Sequence, residues 1–147
     1  MRRLLLLTAL TWLPFLSIFF FASQGDTSFW HISIHVFALT LLGWGCRVAW
    51  SARSAAATPA QRALGWVLSV TLPLAVLGHV LELLAAVVRL GQDGWVSKDT
   101  ADLWERGPHL WASNLTIPAM MLSMLAVLAF VVLAATQGRR RLEPVGR

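Results

Sequence analysis

The chain has 147 residues, of which 57% are hydrophobic and 13% are charged, and its formal net charge is +5. Soluble domains carry roughly 25% charged residues, so this composition excludes an ordinary water-soluble globular domain. The single cysteine, Cys46, excludes an internal disulfide and a cysteine-rich metal or redox motif. We expect Cys46 to be a small buried hydrophobic residue.

Four apolar runs account for most of the chain, and each reaches the roughly 20 residues that cross a bilayer core. They are Leu4–Ser23, Phe29–Trp50, Leu64–Val88 and Leu110–Thr136. The sequence therefore predicts an all-α, polytopic integral membrane protein, in which four transmembrane helices form one bundle and one domain over residues 1–147. Its first partner is the lipid bilayer, and a second membrane protein or a second copy of the chain are further partners that we consider.

The first run has two interpretations, a retained span or a secretory signal. Arg2 and Arg3 followed by apolar residues are typical of the start of a signal. Cleavage after Ala22 or Ser23, however, would put a phenylalanine at the position that needs a small residue. We therefore expect this segment to remain as the first span.

The third helix has a clear start signal. Thr58 and Gln61 form a capping-box pattern around Pro59, which predicts a helix from Pro59 to Leu90 with Gly91 as its stop signal. The connection that follows is the longest and most polar one. Within it, Asp99 is expected to cap a short interfacial helix over residues 100–106, and the last span is expected to begin at Pro108.

The distribution of cations predicts the orientation. Nine of them fall at the two ends of the chain or around the 51–62 loop: Arg2, Arg3, Arg47, Arg53, Arg62, Arg139, Arg140, Arg141 and Arg147. Only Arg89, Lys98 and Arg106 lie between the third and fourth spans. This bias predicts that both termini are cytoplasmic, and it leaves no need for a nucleic-acid partner. Since Lys98 is the single lysine among many arginines, we expect a bacterial cytoplasmic membrane.

Five ionisable residues are predicted to share the outer leaflet. At roughly 1.5 Å per helical residue, His31 and His35 lie just inside the start of the second span, and His109 opens the fourth. His79 and Glu82 lie roughly 12 to 16 Å below the outer end of the third span. A carboxylate and an imidazole at such depth are costly, and they are therefore candidates for function.

Helical spacing predicts which faces turn inward. On the fourth span one polar stripe contains His109, Ser113, Thr116, Met120 and Ser123. On the third span a small and polar side contains Thr71, Ala75, Gly78, Glu82 and Arg89. Residues spaced by three or four lie on one helix face, so these stripes are expected to face protein rather than lipid.

The leading hypothesis is a His/Glu polar pocket that binds a ligand. Imidazoles and a carboxylate are ligands for Zn, Cu or non-haem Fe, so the candidate metal ligands are His31, His35, His79, Glu82 and His109. A b-type haem would need two facing histidines, for which His35 and His79 are nearest in depth. A small amphipathic substrate is the third ligand that we consider. In this hypothesis His31 and His109 lie at the mouth of the pocket.

Three other functions stay open at this stage. The first is a non-catalytic accessory or assembly subunit of a larger membrane complex, whose polar residues lock its helices together or dock the larger partner. Asn114, Ser113 or Arg89 would then pair with His79 and Glu82. A lipid-modifying isomerase or reductase could use Glu82 and His79 as its catalytic acid and base. The same two residues could also form a proton relay.

Overall fold

We describe a computed structural model of the protein over residues 2–23, 28–95 and 107–140. All of its regular elements are helices, which are α1 (Arg2–Ser23), α2 (Ser28–Ser54), α3 (Pro59–Asp93) and α4 (Gly107–Arg140). Each is long and apolar enough to cross a membrane. The prediction of an all-helical, multi-pass membrane protein is confirmed at this level. The predicted interfacial helix falls outside the described residues.

The start of α3 follows the predicted capping pattern. The Thr58 side chain accepts a hydrogen bond from the Gln61 amide, and Pro59 is the first helical residue. The Gln61 side chain in turn accepts from the backbone amide of Ala57. These bonds satisfy amide groups that have no partner inside the helix.

The predicted end of α3 at Gly91 is wrong. The helix continues to Asp93 and stops at Gly94, whose φ of 72° is accessible to glycine at little cost. The Gly94 amide donates to the Leu90 carbonyl at 2.9 Å and closes the last turn. Gly91 is part of the helix, and a Cβ atom built on it would meet no other atom within 4 Å. A glycine alone therefore does not mark where α3 ends. The last helix begins at Gly107, one residue before the predicted Pro108.

The four helices alternate in direction. Arg3 at the start of α1 donates to Ser51 at the end of α2. Gln61 at the start of α3 donates to Gln137 near the end of α4 at 3.0 Å. Consecutive helices pack together, and α1 also packs against α4, so the bundle closes on itself.

Two halves of the bundle differ in what they bury. The half near the 55–58 connection, which we call the loop end, has an apolar interior of aliphatic and aromatic side chains. They include Leu4, Leu7, Leu42, Ala49, Leu68, Val127 and Phe130. Cys46 packs against this interior as expected of a small apolar residue, but it is only partly buried. We call the opposite half the cluster end. There α2 and α4 begin, α3 ends, and the buried histidines and Glu82 lie together.

Helices α3 and α4 come into close contact next to the cluster end. A Cβ atom built on Gly78 would collide with the Thr116 hydroxyl oxygen and would lie 3.0 Å from the Thr116 Cα atom, which is tighter than most real Cβ contacts. Glycine at this position therefore lets the two helices touch backbone to backbone, as small residues do in membrane bundles. The contact lies one turn from Glu82, so it also determines how the polar face of α4 meets α3.

Candidate metal centre

The five predicted site residues form one buried cluster. The exposed fractions of His31, His35, His79, Glu82 and His109 all lie between 2% and 5%. The structure therefore brings together every residue that the sequence nominated. The rings of His31 and His109, which the hypothesis placed at the mouth of the pocket, are as buried as those of His35 and His79.

Three helices contribute to the cluster through helical spacing. His31 and His35 stand one turn apart on α2, and their ring centroids are 5.0 Å apart. The polar stripe of α4 faces inward as expected, since His109, Thr116, Met120 and Ser123 are all buried. Below the cluster, the hydroxyls of Ser123 and Thr71 lie 2.8 Å apart and join α4 to α3.

Four donor atoms meet at the centre of the cluster. His31 Nε2 lies 3.0 Å from His109 Nε2 and 3.2 Å from His35 Nε2. The carboxylate oxygen Glu82 Oε2 lies 3.7 Å from His35 Nε2 and 3.6 Å from His109 Nε2. The four atoms thus form a closed loop, which we call the four-donor set. Each side chain presents to the loop an atom that can ligate a metal ion.

The contacts of His79 determine which nitrogen of His35 carries a proton. His79 Nε2 lies 3.3 Å from Met120 Sδ, and a thioether can only accept, so His79 Nε2 carries the hydrogen. In a neutral ring His79 Nδ1 is then an acceptor. It lies 3.0 Å from His35 Nδ1, which must donate to it. His35 Nε2 therefore keeps its lone pair and turns it toward the four-donor set.

His109 Nε2 also turns a lone pair toward the four-donor set, in this case through a contact with Ser113. The Ser113 hydroxyl donates to the His109 carbonyl at 2.8 Å, which leaves its oxygen free to accept. That oxygen lies 3.4 Å from His109 Nδ1, the ring nitrogen that faces away from the centre. With the proton on Nδ1, the lone pair of His109 Nε2 also points into the four-donor set.

Glu82 is oriented by Thr116. The Thr116 hydroxyl contacts Glu82 Oε1, and it also lies 2.9 Å from the Ala112 carbonyl one turn before it. The other carboxylate oxygen, Oε2, is the one that faces His35 and His109. Asn114, which the sequence offered as a partner for this pair, is exposed. Thr116 supplies the contact in its place.

Four of the six donor–donor separations agree with one tetrahedral ion. Two donors bound to a single tetrahedral metal at about 2.1 Å lie roughly 3.4 Å apart. The four neighbouring separations in the loop, between 3.0 and 3.7 Å, bracket that value. Two overlapping groups have all ligand atoms within 4.8 Å of one another, which are His31 with His35 and His109, and His35 with His79 and Glu82. Neither group contains all four atoms of the four-donor set, and His35, His79 and Glu82 form an alternative ligand set of three residues.

A haem between His35 and His79 does not fit this packing. Two axial imidazole nitrogens, each about 2 Å from iron, would stand about 4 Å apart with a flat macrocycle between them. The facing nitrogens here are 3.0 Å apart and in direct contact. Nor is His79 the direct partner of Glu82, because the His35 ring joins the two groups.

The roles of three residues could not be assigned from sequence. Met120, Thr116 and Ser113 belong to the predicted polar stripe, but their individual contacts depend on how α4 is rotated against α3. The available signal was their spacing of three or four residues along one helix face. That spacing indicates which residues turn inward but not which atom each one meets.

No protein-family model, no curated protein and no solved structure matches this chain.

Proposed function

We propose that this protein binds one divalent transition metal ion inside the membrane, through His31, His35, His109 and Glu82. The observation that carries the proposal is the convergence of four donor atoms in the four-donor set, with lone pairs of His35 and His109 directed inward. Without an ion, a hydrogen on His31 Nε2 can be donated to one of these lone pairs. Metal binding requires that hydrogen on His31 Nδ1, so that all three imidazoles and Glu82 turn a lone pair toward the ion.

Zn²⁺ is the ion that the donors fit best. Imidazole nitrogen and carboxylate oxygen suit Zn²⁺, whereas Cu(I) and iron–sulfur clusters prefer thiolates, and Cys46 is not part of the cluster. Zn²⁺ has no preferred geometry of its own and accepts a tetrahedral set. The charge of Glu82 offsets half of the charge of the ion, which lowers the cost of holding it in an apolar bundle.

The surrounding contacts support a metal centre more than a chance cluster. Metal-bound histidines and carboxylates are usually held by a second layer of hydrogen bonds that orients them. Here His79 holds His35, Ser113 holds His109, and Thr116 holds Glu82. A site with four protein ligands leaves no open coordination position, so the bound ion fastens α2, α3 and α4 together.

The setting of the site is part of the same proposal. The arginine distribution supports cytoplasmic termini, and with them a metal centre in the outer leaflet of a bacterial cytoplasmic membrane. Nothing in the proposal requires nucleic acid. A membrane-protein partner or a second copy of the chain would bind a bundle that the ion has already made rigid.

The test measures metal content directly. The detergent-purified protein, with any affinity tag removed, is stripped with a chelator, loaded with Zn²⁺ and freed of unbound ion before elemental analysis. We expect one Zn²⁺ per chain. His31→Ala, His109→Ala and Glu82→Gln should each remove most of it. Co²⁺ loaded in place of Zn²⁺ should give the intense visible absorption of a tetrahedral centre.

Variants of the outer layer separate the two possible ligand sets. His79→Ala and Thr116→Val should keep the stoichiometry and weaken Zn²⁺ binding about 10- to 100-fold in competition with a chromophoric chelator. If His79→Ala abolishes binding and His31→Ala does not, the ligand set is His35, His79 and Glu82. If the folded wild type retains no Zn²⁺, the proposal fails. The polar residues would then serve as the helix-locking contacts of an accessory subunit.

A further inference from the structure

A groove runs along the outside of the bundle at the cluster end, between the last turns of α3 and the first turns of α4. Its volume is about 850 Å³, within the size range of sites for small molecules. On α3 it is lined by Leu81, Leu84, Ala85, Val88, Arg89 and Gln92. On α4 its wall includes His109, Trp111, Ala112 and Leu115.

The groove changes polarity along its length. The α3 wall is apolar at Leu81 and Leu84 and ends in the guanidinium of Arg89 and the amide of Gln92. From Leu81 to Gln92 the helix rises about 16 Å at 1.5 Å per residue. This is close to half of the roughly 30 Å hydrocarbon core, which is the depth of one leaflet. The groove therefore has the polarity and the length of a lipid in that leaflet.

Two further residues of the groove wall bear on its ligand. The Trp111 side chain is 78% exposed and belongs to the groove wall, near the start of α4, where amphipathic indoles are favoured at a membrane interface. His109 belongs to both the groove wall and the four-donor set. A molecule whose head group lies at the polar end would thus touch the outer side of the cluster.

We infer that this groove binds one membrane phospholipid with an anionic head group, which enters sideways from the bilayer. The phosphate is recognised at Arg89 and Gln92, because a guanidinium suits phosphate oxygens, and one acyl chain lies along Leu81, Leu84 and Leu115. The inference rests on the shape and charge of the groove and not on the metal. His109 is the only residue named here that the two sites share.

The experiment compares two lipids that differ only in head group. The detergent-solubilised protein is incubated with an equimolar mixture of phosphatidylglycerol and phosphatidylcholine carrying the same acyl chains, and retained lipid is counted by native mass spectrometry. Both lipids carry the phosphate, but the choline cation of phosphatidylcholine lies next to it and is repelled by the Arg89 guanidinium. We therefore expect one phosphatidylglycerol per chain, favoured about tenfold. Arg89→Gln should abolish the preference, and Ala85→Phe, which fills the groove, should remove retained lipid of either kind.

A matched variant and a second readout make the outcome decisive. Val87→Phe adds an aromatic ring at an exposed position of α3 outside the groove and should bind as wild type does. Equal retention by Ala85→Phe and Val87→Phe, or an unchanged preference in Arg89→Gln, would overturn the inference. The helical circular-dichroism spectrum and the elution volume of each variant show that it is folded. Zn²⁺ binding without lipid preference would overturn the groove alone, and lipid preference without Zn²⁺ binding would overturn the metal centre alone.

Discussion

The loop end and the cluster end are built from the same helices, yet they use polar groups in opposite ways. At the loop end the interior is apolar, and hydrogen bonds lie at the margin, where Gln61 contacts Thr58, Ala57 and Gln137. Arg53 likewise places its guanidinium 3.7 Å from the Trp50 ring centroid and 4.1 Å from that of Trp66. At the cluster end the polar groups are inside.

The comparison shows that the contribution of a polar group to stability depends on whether water can reach it. A group at the margin can exchange a lost partner for water, so each contact there is worth little and acts independently. A buried imidazole or carboxylate has no such substitute, and the contacts from Met120 through His79, His35 and Glu82 to Thr116 depend on one another. The loop end is therefore expected to respond to mutation locally, and the cluster end as a unit.

The largest expected loss of stability comes from a substitution in the apolar interior of the loop end. Leu68 is fully buried in the loop-end interior, so Leu68→Ala should lower the free energy of unfolding by about 2–5 kcal/mol through the cavity that it leaves. The loss should be the same with and without Zn²⁺, measured by denaturant titration in mixed micelles. A loss that depends on Zn²⁺ would mean that the two ends are not separate units.

A smaller effect is expected where α3 and α4 touch. Gly78→Ala forces a Cβ atom against Thr116, and the overpacking should cost about 1–3 kcal/mol and weaken Zn²⁺ binding as Thr116 moves from Glu82. Gly43→Ala is the matched control, since nothing lies within 4 Å of a Cβ atom there. It should be neutral or stabilising by up to about 1 kcal/mol. Equal stability of the two variants would contradict the close approach.

The smallest effect is expected at the margin of the loop end. Gln137→Ala removes one hydrogen bond to Gln61, which is 8% exposed but lies in the first turn of α3, where the shortened side chain admits water. The loss of unfolding free energy should therefore be about 0.5–1.5 kcal/mol. Zn²⁺ content should not change. A loss as large as that of Leu68→Ala would show that this contact is not independent of the interior, against the comparison drawn above.

Much of the architecture was predictable because bilayer thickness constrains helix length. Apolar runs of about 20 residues located all four helices, and a rise of 1.5 Å per residue placed His31, His35, His79, Glu82 and His109 at one end. The Thr58 cap was equally local, since it needs only residues three positions apart. These predictions depend on spacing along one helix, and spacing can be counted in a sequence.

The remainder depends on contacts between helices, which spacing does not determine. Gly91 and Gly94 carry the same stop signal, and only the backbone shows which of them has a positive φ. Thr116 rather than Asn114 meets Glu82 because the close approach at Gly78 sets the rotation of α4. The direct contact of His35 with His79, which leaves no room for a haem, was likewise invisible in their depths.

The four-donor set draws on three helices that are synthesised one after another. Its donors leave the ribosome in the order His31, His35, Glu82 and His109, and the ring on α4 comes more than seventy residues after the first. An ion therefore cannot be fully enclosed while the chain is still being inserted. In the proposed metal centre, capture of the ion would mark completed assembly, and a chain with α4 missing or misplaced would hold at most three of the four donors.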